Sequence, residues 1–151
     1  MTDQEIFNKV LAHLREQGRP AELEPGSCAY RAADGATCAV GCLIPDHAYD
    51  PCIEGSTLVE LAFRAGGGVP DEALTANSVL LDEVLARSGI AWRQYPLLRE
   101  LQIAHDLCLS GEMDAEGHLV WGRFDPALRI PNWEARMLTV AAKHGLVYTA
   151  P

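Results

Sequence analysis

The sequence lacks the short motifs by which many enzymes are recognised. It contains no GxGxxG or Walker phosphate loop, no HExxH metal-binding helix and no GxSxG nucleophile turn. The glycine run at 66–68 follows a predicted helix rather than a strand, so it predicts a helix end and not a phosphate loop. These absences favour a protein without catalytic activity, but they do not decide whether the chain is an enzyme.

Long apolar runs are absent as well. No stretch approaches the roughly 20 apolar residues that a membrane-spanning helix needs. The first ten residues have no basic start followed by an apolar run, so a secretory signal is not expected. We therefore expect a cytoplasmic protein without a membrane partner. Its five cysteines, an odd number, should be mostly reduced there.

Basic residues are scarce, with 12 Lys and Arg against 21 Asp and Glu and a net charge of −9. Residues 44–86 hold eight acids against a single base, Arg64. Phosphate binding requires clustered Lys and Arg, so direct contact with nucleic acid is disfavoured, and the field favours a basic protein partner. The alternative is a solvated helical face that only keeps the chain soluble. The eight acids are Asp46, Asp50, Glu54, Glu60, Asp71, Glu72, Asp82 and Glu83.

The length and the apolar pattern predict one mainly α domain over residues 1–151, with five or six helices and a small β-hairpin near residues 28–44. The first helix has a capping box, Thr2 with Glu5, and ends at Gly18 and Pro20. Further helices are predicted from 56 or 57 to 64, from 70–72 to 88, from 96 to 111, and from an Asn132 cap to Gly145.

The predicted hairpin pairs 28–31 with 37–44 across an Asp34-Gly35 turn. The alternative is that Cys38 begins a short helix, because propensity and length are ambiguous there. A helical turn is predicted over 46–49, after Pro45 and before Pro51. A short strand is predicted near 118–121, in a looser section that covers 113–124.

The segment 28–55 holds four of the five cysteines among charged and aromatic residues. The segment offers four possible zinc ligands, but only two of them, Cys38 and Cys42, are closely spaced. The four residues are Cys28, Cys38, Cys42 and His47. Buried free thiols are the favoured interpretation, because cysteine is among the most buried small apolar residues. No metal site and no cofactor are predicted.

A catalytic cysteine is the second interpretation of this segment, and it needs an adjacent base. Cys38 lies at a turn where Gly41 allows close backbone approach, and His105-Asp106 is the one His-Asp dipeptide. Adjacent helical residues do not face each other, so Asp106 should not orient His105 without help. Asp46 and Glu54 are simpler supports for His105 across space, and Cys108 lies on the same helix face.

Arg31, Asp46, Tyr49 and Glu54 form a third group of candidates. The turns at Pro45 and Pro51 are expected to bring the arginine near the two acids and the phenol. Such a group binds a small ligand or a peptide carboxylate bidentately, or it forms an internal ion-pair network that fixes an irregular loop. The structural role is favoured, because irregular backbone needs side chains to satisfy its donors and acceptors.

These residues form a motif that resembles a family of small phage- and prophage-encoded proteins. The motif reads CAYR, DG, CAVGCLIPD and Y, then EG, and is followed by LQ, HD and a closing helix with Trp133. The resemblance implies an origin rather than an activity, because the family carries no settled activity. Cys42 and Cys52 lie outside the family pattern. The positions on the motif are Cys28, Arg31, Cys38, Asp46, Tyr49, Glu54, His105 and Asp106.

The resulting hypothesis is a phage-type accessory protein in the cytoplasm of a host cell. It would bind the basic surface of a host or phage protein and inhibit or modulate a nucleic-acid-handling or defence complex. The alternative is a cysteine-dependent hydrolase or transferase that uses Cys38 and His105. The binding candidates are Arg31, Asp46, Tyr49, Glu54, Glu60, Asp71 and Glu72.

Overall fold

The computed structural model describes residues 1–24, 27–67, 74–106, 112–113, 119–120 and 126–151. Over these ranges the chain is mainly helical, as predicted, with five α-helices and a few very short strands. The helices are α1 Asp3–Gln17, α2 Val59–Ala65, α3 Ala76–Arg87, α4 Tyr95–Asp106 and α5 Pro126–His144. The strands are β1 Glu22–Glu24, β2 Ser27–Cys28, β3 Glu112–Met113 and β4 Leu119–Val120.

The first helix follows its sequence signals closely. Thr2 accepts a hydrogen bond from the Glu5 backbone N–H, and the Glu5 carboxylate accepts one from the Thr2 N–H at 2.7 Å. This capping box satisfies donors that the first turn leaves unpaired. Gly18 ends the helix in the left-handed conformation. The predicted apolar stripe is buried, and it consists of Ile6, Phe7, Val10, Leu11 and Leu14.

The predicted hairpin between 28–31 and 37–44 is reduced to one antiparallel bridge, Arg31 with Thr37. The antiparallel strand pair lies earlier in the chain, between β1 and β2. Residues Gly41–Leu43 form a 3-10 turn, so the helical alternative is closer to the structure. Gly41 explains the difference, because a Cβ there would lie 1.9 Å from the Tyr30 carbonyl oxygen. The chain crosses Tyr30 in close contact instead of running beside it as a strand.

Three helix starts differ from the prediction. α2 begins at Val59, after Leu58, so neither Ser56 nor Thr57 caps it. α3 is capped by Thr75, and Asp71 and Glu72 lie outside the described residues. α5 begins at Pro126, so Asn132 lies inside the helix and is not its cap. The helix includes Pro131, since a helix can continue through a proline at the cost of one backbone hydrogen bond and some steric strain.

Helix α4 lies at the centre of the packing and contacts α1, α2 and α5. The 3-10 turn Gly41–Leu43 packs on α1, and a second one, Pro51–Ile53, packs on α3. The buried apolar side chains form one cluster, to which the loop residues 29–53 contribute as well as the helices. The described helices include none that is both long and apolar enough to cross a membrane.

Candidate functional site

The loop from Tyr30 to Glu54 is closed by a single carboxylate. Glu54 accepts hydrogen bonds from the backbone N–H groups of Tyr30 and Arg31, both at 2.9 Å, and from the Tyr49 hydroxyl at 2.7 Å. We call Glu54 with these three partners the Glu54 clamp. Burial, together with the hydrogen bond to Glu54, raises the pKa of Tyr49 to about 12. The clamp fixes irregular backbone that has no sheet partner to satisfy its donors.

Arg31 extends the clamp toward the surface. Its guanidinium donates to Asp46 Oδ1 and to the Ile44 carbonyl, both at 2.7 Å, and lies 4.4 Å from the centre of the Tyr49 ring. The sequence analysis grouped these side chains, and the structure brings them together. Asp46 is 97% exposed and lines a hollow of about 410 Å³ with Arg31. The internal contacts of the group match the structural role, and Asp46 is the member that reaches solvent.

The carboxylate of Glu60 is hydrogen-bonded to neighbouring residues. Its carboxylate accepts hydrogen bonds from Ser78 Oγ at 2.7 Å and from the backbone and hydroxyl of Thr75, both at 3.1 Å. The hydrogen bond from Ser78 is the main cause that lowers the pKa of Glu60. Glu60 thereby joins α2 to the start of α3. The neighbouring candidates Asp71 and Glu72 lie outside the described residues.

A second group of polar residues lies where β2, just before Tyr30, meets the last turn of α4. His105 Nδ1 is 3.0 Å from Asp106 Oδ1 and 3.8 Å from Cys28 Sγ. Gln102 Nε2 lies 2.8 Å from Cys28 Sγ and 2.7 Å from Asp106 Oδ1. We call Cys28, Gln102, His105 and Asp106 the thiol–histidine cluster. His105 is buried, and the side chain of Asp106 is about two-fifths exposed.

Asp106 does contact its neighbour His105, so the expectation that Asp46 or Glu54 would support the imidazole is wrong. Asp46 and Glu54 bind the clamp residues instead. Gln102 lies one helical turn earlier and hydrogen-bonds the Asp106 carboxylate, which holds that carboxylate beside the His105 ring. The sequence analysis did not assign Gln102 a role. Its spacing of three and four residues from His105 and Asp106 is the signal that identifies it.

The hydrogen bonds of His105 fix what its imidazole can do. The Ala21 backbone N–H points at Nε2 from 3.4 Å, so Nε2 is the acceptor and the neutral ring carries its proton on Nδ1. That proton faces Asp106 and Cys28. A ring in this state donates to the thiol and does not accept its proton. In this arrangement, His105 is therefore not placed as a general base for Cys28.

Cys38 is fully buried and lies beside Cys28, with its sulfur accepting the Gly41 N–H at 3.3 Å. Burial opposes ionisation, but the hydrogen bond from Cys28 and the N–H groups of the turn together lower the pKa of the Cys38 thiol. The hydrogen bond to Cys38 raises the pKa of the Cys28 thiol, and burial raises it further. The raised pKa favours the thiol form of Cys28.

The four possible zinc ligands of the sequence analysis do not bring their ligand atoms to one place. Cys42 Sγ donates to the Ala39 carbonyl at 3.3 Å, and burial raises the pKa of its thiol to about 12. His47 is exposed. Among the described residues, the group of ligand atoms that does converge within 4.8 Å is that of Cys28, His105 and Asp106. Cys108, the predicted neighbour of His105, lies outside the described residues.

A third feature is apolar and lies on the surface of α2 and of the 3-10 turn Trp92–Gln94, which precedes α4. Phe63 is 55% exposed and Trp92 is 63% exposed. Trp92 lines a cleft of about 590 Å³ together with Leu61, Ile90 and Tyr95, and Phe63 lines a smaller one beside Pro96. We call Phe63, Trp92 and these clefts the aromatic surface. Ion pairs such as Arg64 with Asp82 lie in and beside these clefts.

Comparisons with protein-family models, with curated proteins and with solved structures found no match for this chain. The resemblance of the 28–55 motif to small phage proteins therefore stays a prediction. The function has to be inferred from the three features above, namely the Glu54 clamp, the thiol–histidine cluster and the aromatic surface.

Proposed function

We propose that this chain is a phage-type accessory protein that acts by binding another protein through the aromatic surface. The observation that carries the proposal is the exposure of two large aromatic side chains on helical elements beside clefts. Aromatic residues dominate the energy of many protein interfaces, and tryptophan is the most enriched of them. Exposed apolar side chains edged by charged residues are typical of interaction sites.

The charge of the chain identifies the kind of partner. A net charge of −9 speeds the approach of a basic protein, and this steering weakens as salt is added. Asp46 and Glu83 expose their carboxylates in the predicted acidic third, although Asp46 also pairs with Arg31. Glu54, Glu60 and Asp82 are engaged by internal partners. The acids thus supply a long-range field, and the aromatic side chains supply the contact. A basic nucleic-acid-handling or defence protein of the host fits this chemistry.

The cysteine-dependent enzyme remains an alternative prediction. The structure brings Cys28 and Cys38 to His105, which the hypothesis requires. The nearer thiol is that of Cys28, and the imidazole presents a proton to it rather than a lone pair. Cys38 is 0% exposed, so a substrate does not reach it without movement of the loop. The protein-binding role therefore has the better support.

Capture from host lysate with a double variant tests the proposal. Wild-type chain is immobilised beside Phe63→Ala/Trp92→Ala and beside Leu138→Ala, which truncates a similarly exposed residue on α5. We expect a protein that the wild type and the Leu138 variant capture, and that the double variant loses. Removing a central aromatic residue weakens binding by about 2 kcal/mol or more. Raising the salt concentration should weaken capture by the wild type and by the Leu138 variant.

Two results would overturn the proposal. One is the absence of any specific capture at low salt. The other is equal capture by the double variant and the wild type, because the aromatic surface would then contribute nothing. Circular dichroism of each variant confirms that the helices are intact before capture is compared.

A further inference from the structure

We propose that Cys28, His105 and Asp106 bind a divalent metal ion that favours thiolate ligands, with Zn²⁺ as the ion to test. The three residues offer a sulfur, an imidazole nitrogen and a carboxylate oxygen, which are the ligand atoms that zinc takes in proteins. Their ligand atoms all lie within 4.8 Å of one another. This site is independent of the aromatic surface and of the proposed protein-binding role.

Two of the three separations fit an ion with little movement, and the third, between Cys28 Sγ and Asp106, is within 4.8 Å. Zinc bonds of about 2.0–2.3 Å at tetrahedral angles place neighbouring ligand atoms about 3.3–3.6 Å apart. The observed separations from His105 Nδ1 are 3.0 Å to Asp106 Oδ1 and 3.8 Å to Cys28 Sγ. Shifts of a few tenths of an ångström therefore bring both partners of the imidazole into range.

The ligands are held in place by backbone structure. Cys28 ends β2, and the next residue, Ala29, donates its N–H to the Ala21 carbonyl at 3.0 Å. His105 and Asp106 lie in the last turn of α4, the central helix of the fold. Gln102 contacts both the sulfur and the carboxylate through one amide nitrogen, so it orients two of the three ligands. Partners of this kind tune metal affinity.

An unpaired atom at the same place is a second indication. The Oε1 atom of Gln102 is buried, and no donor among the described residues reaches it. A buried carbonyl oxygen without a donor is unfavourable. Three protein ligands leave the fourth position of a tetrahedral zinc ion for a water molecule, and a bound water is a donor. Metal and water together would complete a cluster that the protein groups alone leave incomplete.

The charges also balance. Metal binding would release the Cys28 proton to solvent, and the resulting thiolate and the Asp106 carboxylate would neutralise a doubly charged ion, with the imidazole as a neutral ligand. Binding at Nδ1 moves the imidazole proton to Nε2 and gives up the long contact from the Ala21 N–H. The tautomer of His105 therefore changes on loading, which provides a specific spectroscopic signature.

Metal titration of the full-length chain tests the site. Reduced protein is treated with a chelator, dialysed, and titrated with Co²⁺ and then Zn²⁺. We expect one equivalent to bind, a thiolate-to-cobalt absorption band that Zn²⁺ abolishes, and a shift of the His105 proton from Nδ1 to Nε2 by nitrogen NMR. Because Zn²⁺ would bind the folded chain, the melting temperature should also rise.

Variants assign the ligands. Cys28→Ser and Asp106→Asn should each weaken Zn²⁺ binding at least about 100-fold, and Gln102→Ala should weaken it about 10- to 100-fold. Cys42→Ser and Cys52→Ser are matched controls that should keep wild-type affinity, because their thiols lie outside the cluster.

The proposal is overturned if the wild-type chain shows no thiolate-to-cobalt band, or if Cys28→Ser binds Zn²⁺ as tightly as wild type. Asp106→Asn provides the comparison if Cys28→Ser does not fold, since its side chain is partly exposed and the change is nearly isosteric. Unchanged affinity in that variant would also exclude the site.

Discussion

Two groups of polar contacts hold the segment 28–54 in different ways. The Glu54 clamp joins residues at most 24 positions apart, and each of its short hydrogen bonds ends on a carboxylate oxygen. The thiol–histidine cluster joins residues 77 positions apart, mixes sulfur with nitrogen and oxygen, and contains an unpaired buried oxygen on Gln102. An unpaired buried atom also lies beside the clamp, at Arg31 Nε, so this feature alone does not separate the two regions. What separates them is their chemistry, because the cluster brings together a thiol, an imidazole and a carboxylate, whereas the clamp joins a carboxylate to backbone N–H groups and a phenol.

The largest expected effect comes from a residue that serves both regions. In Gly41→Ala the new Cβ would lie 1.9 Å from the Tyr30 carbonyl oxygen, so the backbone at Tyr30 and the turn beside Cys38 must separate. We expect a loss of about 3–4 kcal/mol in the free energy of unfolding, measured in urea.

Gly66→Ala is the matched control for Gly41→Ala. Its nearest contact would be 3.5 Å away, so its stability should stay within about 0.5 kcal/mol of wild type. Equal effects of the two substitutions would show that the close approach at Gly41 does not matter.

The next largest effect should come from breaking the clamp alone. In Glu54→Gln an amide replaces one acceptor oxygen, so a backbone N–H of Tyr30 or Arg31 loses its partner. We expect a loss of about 2–3 kcal/mol, because these hydrogen bonds end on a charged group. Glu83→Gln, at an exposed position of α3, should change the same unfolding measurement by less than about 0.5 kcal/mol.

A smaller loss is expected from Gln102→Met in protein without metal. The substitution removes two hydrogen bonds to the cluster, but it also removes the unpaired Oε1. The two effects offset each other, so we expect a loss of only about 1 kcal/mol in the free energy of unfolding. A loss as large as that of Glu54→Gln would contradict the view that the cluster is incomplete without a ligand.

The smallest effect concerns pH. The pKa of Tyr49 is raised from about 10 to about 12, mainly by burial and then by the hydrogen bond to Glu54. The neutral phenol is the favoured form, so its contribution to stability is fully present below about pH 10 and is lost as the pH rises toward 12. Tyr49→Phe should therefore flatten the alkaline decline in stability.

Tyrosinate absorbance provides a direct check on this residue. The difference between wild type and Tyr49→Phe should titrate near pH 12 and should move down when Glu54→Gln is introduced. If Tyr49 of the wild type titrates near pH 10, neither burial nor the hydrogen bond to Glu54 raises its pKa in solution.

Much of the helical framework could be predicted from the sequence. The capping box at Thr2 and the apolar stripe of α1 are local signals, and the structure confirms both. Local signals failed where a long-range contact decided the outcome. Gly41 meets Tyr30 at close range, which replaced the predicted hairpin with a 3-10 turn. The helix α5 begins at Pro126 and continues through Pro131, so the Asn132 cap predicted from local signals is wrong.

The candidate site was predicted in part for the same reason. Arg31, Asp46, Tyr49 and Glu54 are close in sequence, and two prolines set the turns between them, so their grouping was predictable. Cys28 and Gln102 are 74 residues apart, and nothing in their spacing pairs them. The sequence indicated Cys38 and His105 as partners. The packing of β2 against the end of α4 instead placed Cys28 nearest to the imidazole.

By itself, the sequence determined the helical class, the acidic balance and the chemical composition of the 28–54 loop. These depend on residue type and on short-range spacing, which are the same in the folded and unfolded chain. Only the tertiary structure decided which polar and aromatic side chains bind internal partners and which remain available to bind another molecule. The tertiary contacts place Glu54 inside a clamp, leave Trp92 uncovered, and bring a thiol, an imidazole and a carboxylate together.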